Sequence, residues 1–166
     1  MSKKILYFGG QKSGKSFLAE HKALLLAEDG IPYYIATYDN SYNDTEMQER
    51  ICKHQNQRQH SFISIEETKY LERAIKLGQT HLIECVSMWI LNTLNEHETV
   101  LLKQLEHLLS LDANIVFVLN NVTEGVIPFD VESRKYVDRS GVVGQKLAAL
   151  CDEVYEVKLG LEVRLK

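Results

Sequence analysis

The sequence has few of the features that mark secreted, membrane-spanning or metal-stapled proteins. Only three of its 166 residues are cysteines, and Cys52, Cys85 and Cys151 lack the spacing of metal ligands. No apolar run approaches the roughly 20 residues that a membrane-spanning helix needs. Residues 1–8 also lack the long apolar stretch of a signal peptide. We therefore expect a cytoplasmic protein with reduced thiols and no membrane span.

Basic residues are not in excess either. The chain has 19 Lys and Arg residues against 23 Asp and Glu residues, a formal net charge of −4, whereas nucleic-acid-binding domains are usually strongly basic. With 45% hydrophobic residues, the chain can bury one full core, and no linker-like stretch interrupts it. We expect a single domain over residues 1–166 and no nucleic-acid partner.

Short apolar runs alternate with helical patterns along the whole chain. The apolar runs predict strands at residues 4–8, 33–37, 81–85, 114–119, 153–158 and 161–165. Apolar residues at helical spacing predict helices at residues 16–28, 44–60, 89–94, 100–109 and 130–150. This alternation is typical of an α/β fold with a mainly parallel sheet flanked by helices. Ligands bind beyond the carboxyl ends of such strands, so a common site should be faced by Gly9, Thr37, Glu84 and Asn120.

A glycine-rich segment after the first predicted strand matches the phosphate-binding loop of P-loop proteins, Gly-x-x-x-x-Gly-Lys-Ser/Thr, at every constrained position. We assign the whole loop to nucleotide binding: Gly9, Gly10, Gln11, Lys12, Ser13, Gly14, Lys15 and Ser16. Its glycines let backbone N–H groups point at phosphate oxygens, and the helix that follows adds partial positive charge. Lys15 is expected to act in catalysis at the β- and γ-phosphates, and the Ser16 hydroxyl to bind Mg²⁺. The alternative is a glycine-rich turn without a ligand.

A P-loop site also needs an acidic residue at the end of a neighbouring strand to hold the metal ion. Glu84 closes the apolar run of residues 81–83 and is the best candidate for this Mg²⁺ ligand. Asp39 and Asp44 lie in a loop and fit the role less well. The alternative interpretation of Glu84 is a solvated carboxylate at a strand end.

A basic helical segment follows the second predicted strand. Its spacings of three and four put one set of residues on a single helix face: Met47, Arg50, Ile51, His54 and Arg58. Arg50 and Arg58 would flank His54, lower the pKa of its imidazole and hold a phosphate against it. His54 could then attack phosphorus as a neutral nucleophile. The alternative is a surface helix that happens to be rich in Gln, Arg and His.

Further segments match one family in order along nearly the whole chain. Besides the phosphate loop and the basic helix, the matching segments are Ala19-Glu20, Tyr34-Ile35-Ala36-Thr37, Glu84-Cys85-x-x-x-Trp89-x-x-Asn92-x-Leu94, Asn120-x-Val122-x-x-Gly125-x-x-Pro128 and Leu147-Ala148-x-x-x-Asp152-Glu153-Val154-Tyr155 with Gly160. By these segments the chain resembles the bifunctional adenosylcobinamide kinase / adenosylcobinamide-phosphate guanylyltransferase family. Many enzymes share the loop, whereas the Tyr-Ile-Ala-Thr segment and the basic helix are far more specific to this family.

The resemblance implies a RecA-like P-loop domain with two activities. In the first, ATP or GTP donates its γ-phosphoryl group to the hydroxyl of adenosylcobinamide. In the second, GTP guanylylates His54 with release of pyrophosphate, and the GMP then passes to adenosylcobinamide phosphate. The resemblance also implies Mg²⁺ and a homo-oligomer. Beyond the loop, it implies a nucleotide-binding set of Ile35, Ala36, Thr37, Arg50, Arg58, Glu66 and Glu84.

The chain departs from the family pattern at several positions. Some members carry two adjacent histidines in the basic helix, where this chain has Lys53 before a single histidine, so Lys53 is a reserve candidate for the nucleophile. Asn121 replaces an acidic residue, and Val137, Val142 and Gly144 stand where the family has Arg, Arg and Asn. Two alternatives therefore stay open: a P-loop kinase without guanylyltransferase activity, and a nucleotide-dependent binding module. The chain has no Asn-Lys-x-Asp segment, so its base preference is not predicted.

Overall fold

The computed structural model describes residues 1–39, 44–46, 48–49, 52 and 61–166. Seven strands of this part form one sheet: β1 (Lys4–Gly9), β2 (Tyr33–Ala36), β3 (Ile63–Glu66), β4 (Thr80–Glu84), β5 (Asn114–Asn120), β6 (Glu153–Lys158) and β7 (Leu161–Arg164). Their order is β3-β2-β4-β5-β1-β6-β7. All neighbours are parallel except β6 and β7. The predicted α/β fold with a mainly parallel sheet is therefore confirmed.

Helices flank the sheet at the places where the sequence predicts them. Within the described residues they are α1 (Lys15–Ala27), α2 (Val86–Asn92), α3 (Glu98–Ser110) and α4 (Val131–Leu150), with a short 3-10 helix at Leu71–Ala74. Helix α2 begins three residues before its predicted start and leaves one residue between it and β4. The predicted helix at residues 44–60 lies mostly outside the described residues.

Strand β3 is absent from the sequence prediction, which is therefore wrong for residues 63–66. The strand lies at the edge of the sheet and pairs with β2 alone. Its sequence alternates apolar and polar residues over only four positions, the shortest pattern that indicates a strand, and is not the continuous apolar run of the interior strands. The strand predicted third along the chain is consequently β4.

Two apolar clusters lie on opposite sides of the sheet, and β5 contributes to both. Side chains alternate along a strand, so Ile115 and Phe117 join one cluster while Val116 and Val118 join the other. All four are fully buried. Burial on both faces explains why β5 is a continuous apolar run instead of an alternating one. The sheet thus fixes the carboxyl ends of its central strands, where the candidate site residues stand.

The state of the cysteines and the character of the helices in the described residues are consistent with the sequence analysis. Cys52, Cys85 and Cys151 are free thiols. No helix in the described part of the chain has the length and apolar character needed to cross a membrane.

Candidate active site

The predicted phosphate loop connects β1 to the N-terminus of α1. Its backbone takes positive φ at Lys12 (58°) and Gly14 (95°), which turns the chain sharply into the helix. Gly14 is the N-cap residue, so no side chain caps the helix, and the first turn carries no acidic residue. The free N–H groups and partial positive charge of this helix end therefore suit an anionic ligand.

Two glycines of the loop are required by close packing. A Cβ atom at Gly9 would lie 2.4 Å from the backbone oxygen of Val157 on β6. Gly14 has positive φ, and a Cβ atom there would lie 3.2 Å from the Cα atom of Gly160. The loop is thus built against the hairpin of β6 and β7, and side chains at either position would displace it.

Lys15 and Ser13 supply polar groups inside the loop. Lys15 is only 6% exposed, and its Nζ donates a hydrogen bond to the Gly10 carbonyl oxygen at 3.1 Å. Burial lowers the pKa of Lys15, although the nearby Glu84 carboxylate opposes this effect. The Ser13 hydroxyl is buried and has no hydrogen-bond partner among the described residues. A buried cation and an unused hydroxyl are the groups that a bound phosphate would satisfy.

Ser16 and Glu84, the two predicted Mg²⁺ ligands, lie next to each other. The Ser16 hydroxyl donates a hydrogen bond to Glu84 Oε1 at 2.8 Å. Glu84 ends β4, two strands away from β1 in the sheet, so the contact depends on the tertiary fold. A hydroxyl and a carboxylate are hard oxygen donors, and Mg²⁺ is commonly bound by one or two such protein groups together with phosphate oxygens. The donor set therefore fits Mg²⁺.

The end of β2 lies beside Ser16 and Glu84, but the side chains there stabilise the fold. Thr37 is 1% exposed; its hydroxyl donates to the Cys85 carbonyl oxygen at 2.7 Å and accepts from the Cys85 N–H at 3.0 Å. Ile35 is fully buried in the core and is paired with a strand on each side, so its side chain does not face a ligand. Ala36 is paired in register with Glu66, whose side chain is exposed at the same edge of the sheet. Nucleotide binding by this group stays a prediction.

A family model described as cobinamide kinase / cobinamide phosphate guanyltransferase matches residues 5–165 of the chain. The chain belongs to this family. The resemblance recognised from the sequence is confirmed, and membership makes the protein a P-loop, nucleotide-binding enzyme of cobalamin biosynthesis. It carries the kinase and guanyltransferase functions for which the family is named.

Two relatives agree with this assignment over nearly their full lengths. The bifunctional adenosylcobalamin biosynthesis protein CobP of Pseudomonas aeruginosa is 34% identical over 97% of this chain and 96% of its own. The corresponding protein CobU of Escherichia coli is 29% identical over 98% and 99%, respectively. Among solved structures, the flagellar accessory protein FlaH from Methanocaldococcus jannaschii has a TM-score of 0.53 at 13% identity, covering 93% of this chain and 70% of its own. That last similarity shows the fold alone.

Helix α2 contains two positioning residues whose roles the sequence analysis missed. Asn92 donates from Nδ2 to the carbonyl oxygens of Thr37 at 2.7 Å and Thr68 at 3.1 Å, which ties the end of β2 to the segment after β3. Ser87 is buried, and its hydroxyl accepts a hydrogen bond from the Asn120 N–H at 2.9 Å, which fixes the end of β5. Asn92 stands in the Glu-Cys…Trp…Asn segment that carries the family resemblance, so that segment was the available signal.

A second concave region lies between the N-terminal half of α4 and the start of α3. A cavity of about 380 Å³ is lined by Glu98, Val131, Arg134, Lys135, Asp138 and Arg139. Asn121, which departs from the family pattern, contacts the phosphate loop through its backbone, because its N–H donates to the Gly9 carbonyl oxygen at 2.8 Å. At Gly144 a Cβ atom would lie 3.3 Å from Leu119 Cδ2, so a larger residue would need this neighbour to move.

The predicted nucleophile cannot be placed relative to these groups. His54, Lys53, Arg50 and Arg58 all lie outside the described residues, so the structure neither joins them to the site nor separates them from it. Their roles stay predictions.

Proposed function

We propose that this chain phosphorylates adenosylcobinamide with a nucleoside triphosphate and then transfers GMP from GTP to adenosylcobinamide phosphate through a guanylylated histidine. One observation carries the proposal: Ser16 Oγ lies 2.8 Å from Glu84 Oε1 at the start of α1, next to the buried Lys15. Both reactions displace a group from phosphorus in a nucleoside triphosphate, so both need the charge stabilisation that this arrangement offers.

In the kinase reaction, the acceptor hydroxyl of adenosylcobinamide attacks the γ-phosphorus. The bond from that phosphorus to the bridging oxygen of the β-phosphate breaks, the nucleoside diphosphate leaves, and the hydroxyl proton passes to solvent. Lys15 stabilises the charge that collects on the departing phosphate. Ser16 and Glu84 would hold Mg²⁺, which when bound supplies further positive charge at the phosphate oxygens.

In the guanylyltransferase reaction, we propose that an imidazole nitrogen of His54 attacks the α-phosphorus of GTP and pyrophosphate leaves. A phosphate oxygen of adenosylcobinamide phosphate then attacks the same phosphorus, so the phosphorus–nitrogen bond breaks and the histidine is regenerated. Covalent catalysis of this kind replaces one difficult transfer with two easier ones. Arg50 and Arg58 would neutralise phosphate charge on either side of the histidine.

The intact-protein mass after incubation with GTP and Mg²⁺ tests the histidine step. The unmodified chain should gain the mass of one GMP, and His54→Ala should gain nothing while still phosphorylating adenosylcobinamide. His97→Ala, at an exposed histidine before α3, is the matched control and should be guanylylated normally. A GMP adduct that persists in His54→Ala but disappears in Lys53→Ala would transfer the role to Lys53.

The same assay separates this function from its main alternative. A chain that phosphorylates adenosylcobinamide but forms neither the GMP adduct nor adenosylcobinamide-GDP would be a kinase alone, and that result would refute the guanylyltransferase half of the proposal. Lys15→Ala should lose phosphoryl transfer because the buried cation of the loop is removed.

We further propose that the protein works as a homo-oligomer in the cytoplasm, with no nucleic-acid partner. The edge strand β7 and the residue just after it present a row of apolar side chains that are more than half exposed: Leu161, Val163 and Leu165. Exposed apolar rows of this kind often mark subunit contacts. The free thiols suit a reducing compartment, and the net charge of −4 does not favour nucleic acid. Light scattering tests the assembly, and a strictly monomeric protein at working concentrations would contradict it.

A further inference from the structure

The tip of the β6–β7 hairpin packs against the phosphate loop. The Gly160 N–H donates a hydrogen bond to the Ser13 carbonyl oxygen at 2.8 Å. A Cβ atom at Gly14 would lie 3.2 Å from the Gly160 Cα atom, so the two glycines pack closely together. Whatever the phosphate loop binds therefore has the hairpin tip as an immediate neighbour.

Leu159, the residue before that glycine, has an unfavourable conformation with no packing to offset it. Its φ is 55°, in the left-handed region that strongly favours Gly, Asn and Asp in two-residue hairpin turns. Its side chain is 95% exposed and so gains almost nothing from burial. An outlier of this kind at the edge of a site is a reason to look for a ligand contact.

Phe17 is a second exposed apolar residue next to the phosphate loop. It follows Ser16 directly, within the first turn of α1, and is 73% exposed. Helix α1 buries Lys15, Ala19 and Ala23, so helical periodicity puts Phe17 on the outward side of the turn that binds phosphate. An exposed aromatic ring beside a phosphate site is well placed to stack on a base.

We propose that Phe17 and Leu159 form the binding site for the purine base of the nucleoside triphosphate held by the phosphate loop. The sheet order supports this orientation, because β6 and β7 lie on one side of β1 whereas β4, with Glu84, lies on the other. The base then contacts the hairpin tip, and the terminal phosphate faces Ser16 and Glu84. This inference requires nucleotide binding by the loop but does not depend on the histidine step.

The chemistry of these two side chains defines the specificity of the site. Neither has a hydrogen-bond donor or acceptor, so they would bind the faces of a purine without reading its edge. We therefore expect the loop to bind ATP and GTP with affinities within about threefold of each other. Loss of one stacking contact should weaken nucleotide binding by about tenfold or more.

Calorimetric titration of Phe17→Ala with three ligands tests the aromatic contact. The ligands are a non-hydrolysable ATP analogue, the equivalent GTP analogue and inorganic tripolyphosphate, each with Mg²⁺. Both nucleotides should bind about tenfold or more weakly, whereas tripolyphosphate, which has no base, should bind as it does to the unmodified protein. Leu25→Ala is the control, because Leu25 is 62% exposed on the same helix, about two turns away from the loop.

The two possible failures of this test are distinguishable. Unchanged nucleotide affinity in Phe17→Ala, or an equal loss for tripolyphosphate, would overturn the base site. Failure of the unmodified protein to bind tripolyphosphate or nucleotide would instead refute the phosphate loop as a nucleotide site, and with it the proposed function.

Leu159→Asn provides a second test, which distinguishes a contact with the nucleotide from a purely structural role of Leu159. Asparagine tolerates positive φ better than leucine does, so the variant should unfold at an equal or higher temperature. It should nevertheless bind both nucleotides more weakly, by about fivefold or more, with tripolyphosphate binding unchanged. A variant that keeps full nucleotide affinity would remove Leu159 from the proposal.

Discussion

The buried histidine of β4 should make the stability of this protein depend on pH. His81 is fully buried, its Nε2 accepts a hydrogen bond from the Lys76 N–H at 2.9 Å, and its ring stacks on Tyr33 with centroids 5.2 Å apart. Burial lowers its pKa from 6.5 to about 4. Since the folded pKa is depressed, the unfolded chain binds the proton more tightly. The stabilisation is therefore complete above pH 6.5 and is lost as the pH falls toward 4.

The magnitude follows from the two pKa values. The full difference corresponds to about 3 kcal/mol of unfolding free energy. Between a pH of about 7.5 and a pH of about 5, His81 alone should remove about 2 kcal/mol. Urea unfolding at the two pH values measures this change, in the unmodified protein and in His81→Gln, whose amide oxygen can still accept the Lys76 N–H. The pH dependence should be smaller in the variant by about 2 kcal/mol, whatever its absolute stability.

A matched histidine separates this effect from general acid sensitivity. His107 is exposed on α3, so His107→Gln should keep the pH dependence of the unmodified protein. If His81→Gln kept it as well, the buried imidazole would not be the source and the reasoning would fail.

Three further predictions test the site and its surroundings. Gly9→Ala should destabilise the fold by about 1–3 kcal/mol and abolish nucleotide binding, because the new methyl group would lie 2.4 Å from a backbone oxygen. Gly141→Ala on α4, where a Cβ atom would meet only Thr123 Cγ2 at an ordinary contact distance of 3.6 Å, should do neither; thermal melts and nucleotide titration compare the two. Glu84→Gln should raise the Mg²⁺ concentration for half-maximal phosphoryl transfer by about tenfold or more, since the site loses its anionic oxygen; an unchanged Mg²⁺ titration would exclude Glu84 as a ligand. A thiol reagent should modify the exposed Cys52 first and leave Cys151, whose pKa burial raises to about 12, unreacted in the folded protein.

Sequence alone could predict two parts of the site, the phosphate loop and the pairing of Ser16 with Glu84. The phosphate loop is a contiguous motif whose glycines, lysine and serine each have a fixed task. The pairing of Ser16 with Glu84 was also predictable, although 68 residues separate them, because parallel strands bring their carboxyl ends to one edge of the sheet. In both cases a general rule for P-loop α/β folds is enough to predict which residues come together.

Other parts depend on tertiary contacts that no local pattern signals. Strand β3 is only four residues long with two apolar side chains, so its alternating pattern is short and does not stand out from a loop. Nothing in the local sequence around Asn92 indicates its hydrogen bonds to the carbonyl oxygens of Thr37 and Thr68. Thr37 matched the family as a nucleotide-site residue, yet its hydroxyl is occupied by hydrogen bonds to the Cys85 backbone.

The tip of the β6–β7 hairpin is predictable in part from the sequence and in part only from the fold. The sequence places Leu159-Gly160 in a turn between two strands, and only the fold places that turn against the phosphate loop, through the bond from the Gly160 N–H to the Ser13 carbonyl oxygen. The glycine is explained by this close approach and by its positive φ of 78°. The leucine is explained by neither, since a more tolerant residue would form the same turn at lower conformational cost. A contact with the base of the nucleotide accounts for the one residue of the turn that the fold itself does not require.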